Sequence, residues 1–175
     1  LFTVEAQDLM TPNGLGVPGK KVNVDTPNGR ILGIVSKKYK LFKNREIVET
    51  LAESIYQAQF DLTGASLNYS TSHEGARSLF EIRLPAHKIN IDGDISVMSI
   101  LATNSYDGRW KFSTRAGAVR MVCMNGQIFG KFAASYKEYH TGKLNVDEGV
   151  QQVAEMGQSF EESEVWFRRM IDRKI

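Results

Sequence analysis

The stretch DISVMSILATNSYDG (residues 94–108) decides the fold: it is strand-like and set off by Gly-containing turns. It follows a turn at Ile91-Asp92-Gly93-Asp94. Upstream lie ARSLFEIRLP (76–85) and ASLNYSTS (65–72), separated by the turn HEGA (73–76), and each has the composition of a strand. Consecutive strands joined by Gly-containing turns predict an antiparallel meander. AVRMVCM (118–124) adds a further strand.

Working outward, RILGIVSKKYKLF (30–42) reads as a strand that runs into solvent where its lysines begin. Asn44 then offers an N-cap, and Ile47, Val48, Leu51, Ala52, Ile55 and Tyr56 share one face at helical spacing, which predicts a helix over 45–59. KFAASYKEY (131–139) suits a short helix or an extended segment. Residues 147–173 carry the longest helical periodicity, with Val150, Val153, Met156, Phe160, Phe167 and Met170 among its apolar positions. At the other end, TPNGLGVPGK (11–20) and DTPNGR (25–30) are turn-forming and frame a short strand over Lys20–Asp25.

The resulting expectation is a single α+β domain over 1–175: a loop-rich segment at 1–29, a sheet-containing body at 30–145 and a C-terminal helix at 146–175. An antiparallel sheet of about five to six strands would be covered by the amphipathic helix and the long C-terminal helix. A chain of 175 residues with 42% apolar content buries about two thirds of its unfolded surface without staples. One cysteine permits no internal disulfide, and nothing suggests an oxidising compartment, so a cytoplasmic setting is expected. No apolar run approaches the roughly 20 residues that cross a bilayer. The chain begins at Leu1 rather than Met, which reads as a trimmed fragment.

A net charge of +2 hides a strong separation along the chain. Between Asp25 and Glu46 no acid interrupts Arg30, Lys37, Lys38, Lys40, Lys43 and Arg45. Between Asp107 and Glu138 the same holds for Arg109, Lys111, Arg115, Arg120, Lys131 and Lys137. The segment 146–175 carries seven acids against four bases. Aromatics are interleaved with the bases: Tyr39 and Phe42 in the first run, Trp110 and Phe112 in the second. Cationic side chains with aromatic platforms are how single-stranded nucleic acid is held. The candidate phosphate contacts are Lys37, Lys38, Lys40 and Lys43 from the first run and Arg109, Lys111, Arg115 and Arg120 from the second. Tyr39 and Trp110 are the candidate stacking rings. Strand alternation through RWKFSTR (109–115) would place Arg109, Lys111 and Ser113 on one face and Trp110, Phe112 and Thr114 on the other.

Catalytic and metal chemistry find little support. Cys123 lies among Met121, Val122 and Met124 and reads as a small apolar side chain beside an Asn-Gly turn rather than a nucleophile for His140. His140, in YHTGK, suggests a structural or phosphate-contacting role. The Gly-Lys pair lacks the rest of a phosphate-binding loop. His73 and His87 have no partner at metal-ligand spacing, and DGDI (92–95) has too few ligands for calcium. Neither a cofactor nor a metal is expected, and no enzyme activity.

Four stretches, GIVSKKYKLFKNREIVETL (33–51), LATNSYDGR (101–109), RMVCMNGQIFG (120–130) and YHTGKL (139–144), resemble in order and spacing the motifs of the family called domain of unknown function 932. The family commonly has Arg where this chain has Tyr139. The resemblance implies a phage, plasmid or mobile-element context and no activity that can be carried over. The reading that joins it to the charge layout is a non-enzymatic binder of single-stranded DNA in replication or recombination. The alternative is a protein-interaction module or inhibitor of a host protein acting through the acidic C-terminal segment. A sheet edge would allow a homo-oligomer.

Overall fold

The computed structural model describes residues 3–91, 94–121, 128–129, 132–142, 145, 147–148, 151–152, 160, 165 and 169. Its strands are β1 (Val4–Met10), β2 (Gly16–Asp25), β3 (Arg30–Ser36), β4 (Ser66–Ser72), β5 (Arg77–Ile91), β6 (Asp94–Ser105), β7 (Phe112–Met121), β8 (Ile128–Phe129) and β9 (Phe132–Glu138). One α-helix, α1 (Asn44–Gln57), lies between β3 and β4, and a 3-10 turn (His73–Gly75) links β4 to β5. The strands form two antiparallel sheets. One is three-stranded, in the order β1-β2-β3; the other is six-stranded, running β4-β5-β6-β7 and continuing from β7 to both β8 and β9.

This corrects the α+β expectation. Strands account for 52% of the structure, and the architecture is mostly β with one short helix. The long C-terminal helix is not among its elements, and most of 147–173 lies outside the described residues. The segment 1–29 is also more ordered than its Pro and Asn-Gly turns suggest. The strand expected over 20–25 extends back to Gly16 and pairs with β1, Val4 opposite Asp25. Those turns prove to be hairpin connections rather than free loops. KFAASYKEY resolves as strand β9, paired to β7.

The meander follows its sequence. Strand β5 pairs β6 with Phe80 opposite Ala102 and Leu84 opposite Met98, and β6 pairs β7 with Ala102 opposite Thr114 and Ile100 opposite Ala116. Because side chains alternate, these residues share the face that packs on α1. There Ile47, Leu51 and Ile55 meet Phe80, Leu84, Met98, Ile100 and Phe112, all at most 3% exposed. Helix α1 begins one residue earlier than expected. Lys43 occupies the N-cap position, and its backbone N–H donates to the Glu46 carboxylate at 3.0 Å. Asn44, freed from capping, is buried and becomes part of a polar network.

That network ties the two sheets to the turn between β6 and β7. The Asn44 side chain donates to Ser78 Oγ at 2.8 Å and to the Tyr69 hydroxyl at 3.2 Å, and its carbonyl oxygen accepts from Asn104 Nδ2 at 2.7 Å. The Asn44 backbone N–H donates to the Tyr106 hydroxyl at 2.9 Å. From the small sheet, Asn23 Nδ2 donates to the Tyr106 carbonyl at 2.7 Å. Gly33 of β3 packs so closely on the turn that a Cβ there would lie 2.4 Å from Asp107 Cα. Only glycine fits. Around these polar contacts Val4, Leu32, Ala76 and Tyr106 form a second apolar cluster.

Candidate functional site

The face of the large sheet turned away from α1 carries a different set of residues. Register places Leu79 opposite Thr103, Thr103 opposite Ser113, and Ser113 opposite Lys137, which makes one transverse row across β5, β6, β7 and β9. The next row runs Glu81, Leu101, Arg115, Ser135. Beside these rows the turn 106–111 closes a cavity of about 500 Å³. Its walls include Arg109, Lys111, Arg115 and Lys137, two aromatic rings, Trp110 and Tyr139, and a floor of Leu79, Leu101, Thr103 and Ser113. Among the described residues, no carboxylate lines it. Glu81, in the adjoining row, has its carboxylate engaged by Asn68 Nδ2 at 3.1 Å and Ser99 Oγ at 3.5 Å. Asp107 is paired with Arg77, Nε to Oδ2 at 2.9 Å.

Each ring is held by a cation. Lys111 Nζ sits 3.7 Å from the Tyr139 centroid, and the Arg77 guanidinium 5.6 Å from that of Trp110. Trp110 is 38% exposed and Tyr139 58%. The expected alternation through 109–115 holds for Lys111 and Ser113, which line the cavity, against Phe112 and Thr114, which are buried and do not line it. It fails at Trp110. Strand β7 starts at Phe112, so Trp110 belongs to the turn, where the Ser105 hydroxyl accepts from its N–H at 3.2 Å and donates to its carbonyl at 3.0 Å. That contact brings the ring to the same cavity as its cationic neighbours.

The first basic run sits elsewhere. Lys37, Lys38, Lys40 and Lys43 are exposed along the connection from β3 to α1 and do not line the cavity. Lys37 lies 3.8 Å from Asp8, and Lys40 Nζ 5.0 Å from the Phe42 ring. Tyr39 does not fit the role of a stacking platform. It is buried at 7% exposure, its hydroxyl donates to the Ser105 carbonyl, and its ring stacks on His140 at 4.8 Å. Burial pushes the Tyr39 hydroxyl well above its ordinary range. Strand β7 includes Arg120, opposite Phe129 of β8, and its side chain lies outside the described residues, as does Cys123.

His140 joins the two basic regions. The Lys40 N–H donates to the His140 carbonyl at 2.9 Å, and the His140 Nδ1 contacts the Lys40 carbonyl at 3.2 Å. A carbonyl only accepts, so Nδ1 carries the proton in the neutral ring. Nε2 is then a bare lone pair, buried without a hydrogen-bond partner among the described residues. Burial lowers the His140 pKa to about 4, against the opposing effect of the Lys40 contact. The ring is therefore neutral near pH 7, which leaves a clasp rather than a phosphate contact.

Lys137 and Tyr139 were not singled out from sequence as site residues. The signal for Lys137 was present in the charge run 108–137, but the pairing of β9 with β7, which delivers it to the cavity and Tyr139 just after it, is a long-range register. Among the described residues there is no group of side chains that would hold a metal ion.

A family model described as a domain of unknown function, DUF932, matches residues 31–175. The chain belongs to this family. No curated protein and no solved structure matches it. The DUF932 region takes in every residue that lines the cavity. Of the stretches that carry the resemblance, Leu101, Thr103, Arg109 and Tyr139 line the cavity, while Asn44, Asn104, Tyr106 and His140 are buried and Gly33 is tightly packed.

Proposed function

We propose that this DUF932 domain binds single-stranded nucleic acid, with DNA the form favoured by the mobile-element context that the family resemblance implies. The supporting observation is the cavity at the β6–β7 turn. Four cationic side chains and two exposed rings converge there, and among the described residues no carboxylate lines it. Cations supply phosphate contacts, and aromatic faces supply sequence-tolerant stacking worth roughly 1 to 3 kcal/mol per base. A duplex is too broad for a recess of about 500 Å³, whereas unpaired bases enter such a recess singly. Lys37, Lys38, Lys40 and Lys43 add a peripheral positive field that speeds encounter.

Fluorescence anisotropy of a labelled single-stranded oligonucleotide tests this reading. Lys111→Gln with Lys137→Gln is expected to weaken binding at least tenfold, and Lys38→Glu with Lys40→Glu less than that. Equal binding by wild type and the cavity variant would remove the cavity from the function. No binding of any nucleic acid would remove the function.

A further inference from the structure

The cavity is divided in two, and the division is written in the strand order. Over β5 and β6 lie Leu79 and Leu101, with Trp110 drawn to the same side because the Arg77 of β5 covers its ring. Over β7 and β9 lie Arg115, Lys137 and the Lys111 ammonium on Tyr139. The centres of the two halves are two strand spacings apart, roughly 10 Å. One half suits a flat apolar group, the other an anion. Between them, Thr103 and Ser113 share a hydroxyl–hydroxyl contact at 2.7 Å, and Thr103 Oγ1 is 3.3 Å from the Lys111 carbonyl. Thr103 donates its one hydroxyl proton to that carbonyl and accepts from Ser113, so the Ser113 proton is held by Thr103 and Ser113 offers the recess only oxygen lone pairs.

We infer that the cavity is a pocket for one nucleotide unit, with the base on Trp110, Leu79 and Leu101 and the phosphate on Lys111, Arg115 and Lys137. This takes from the proposed function only the identification of the cavity as the nucleic-acid site. It adds that the smallest sufficient ligand is a nucleoside monophosphate rather than a run of phosphates. A volume of about 500 Å³ lies within the range of pockets that enclose a single small molecule. A base needs an apolar floor and a ring, a phosphate needs converging donors, and the two needs are met at opposite ends of one recess.

The test uses the full chain with Trp166→Phe, so that Trp110 is the only indole and its fluorescence reports the base half. Deoxyadenosine 5′-monophosphate, deoxyadenosine and inorganic phosphate are titrated separately, and each is then used to displace the labelled oligonucleotide. The monophosphate is expected to quench Trp110 and to compete, with deoxyadenosine and phosphate each at least tenfold weaker. Lys111→Gln with Lys137→Gln should weaken the monophosphate at least tenfold while its thermal midpoint stays within the wild-type range. Should the oligonucleotide bind but the monophosphate neither quench nor compete, the single-nucleotide pocket is overturned and nucleic-acid binding stands. Inorganic phosphate competing as well as the monophosphate also overturns it, since the base half then does nothing. Monophosphate binding without oligonucleotide binding supports the pocket and removes the nucleic-acid reading. Binding of neither removes both.

Discussion

Asn44 carries more structure than its place at a helix start suggests. Its amide contacts Ser78, Tyr69 and Asn104 inside the protein, and its N–H meets the Tyr106 hydroxyl. In Asn44→Ala the buried Asn104 amide and Ser78 hydroxyl lose partners, with an expected cost of roughly 2 to 3 kcal/mol; chemical denaturation measures it. His140 gives a prediction in pH. Its folded pKa of about 4 lies below the ordinary 6.5, so the unfolded chain binds the proton more tightly. The contribution to stability is complete above pH 6.5 and is lost as pH falls from 6.5 towards 4, by on the order of 3 kcal/mol. Subtracting the urea midpoints of His140→Phe from those of wild type should therefore give a difference that shrinks across that interval. Parallel curves would contradict the clasp. Neither residue's role was legible locally: Asn44 looked like a cap, and the Tyr39 ring that buries His140 lies far away in sequence, among lysines that signalled solvent.

At the scale of elements, the β6–β7 turn is the piece that positions the site. Tyr106 anchors it from inside, Asp107 is paired with Arg77, and Gly33 lets the small sheet press against it. Gly33→Ala must push Asp107 away, at an expected cost of about 3 kcal/mol in stability. Because Arg109 and Trp110 follow directly, the variant should also weaken oligonucleotide binding under conditions where it remains folded. Stability lost with unchanged affinity would mean that the turn holds its shape without the small sheet. The meander and α1 were legible because apolar alternation and 3.6-residue spacing are local signals. Strands β1 and β9 were not. Their burial depends on pairing with β2 and β7, and VEAQDLM and FAASYKE carry only weak alternation of their own. Trp110 was misplaced by the alternation because the strand begins at Phe112, three residues after the start of the extended pattern.

Across the whole molecule, two basic runs that look equivalent in sequence part company on folding. Four bases of the run after Asp107, Arg109, Lys111, Arg115 and Lys137, are gathered into one recess, while the run before Glu46 lies along an exposed connection tied to it through His140. Charge runs are legible in a sequence; which of them converge is set by register between strands, and that is why Lys137 and Tyr139 were missed. The central claim is that phosphate contacts are made in the recess, and salt dependence counts such contacts. Each phosphate neutralised adds about −0.7 to the slope of log affinity against log salt for a single strand, roughly 2.6-fold in affinity between 50 and 200 mM salt. The measurement is that slope, taken for wild type and for Lys111→Gln with Lys137→Gln. The recess holds one phosphate, so the expected result is a slope shallower by up to about 0.7 in the variant; an unchanged slope would place the phosphate contacts outside the recess.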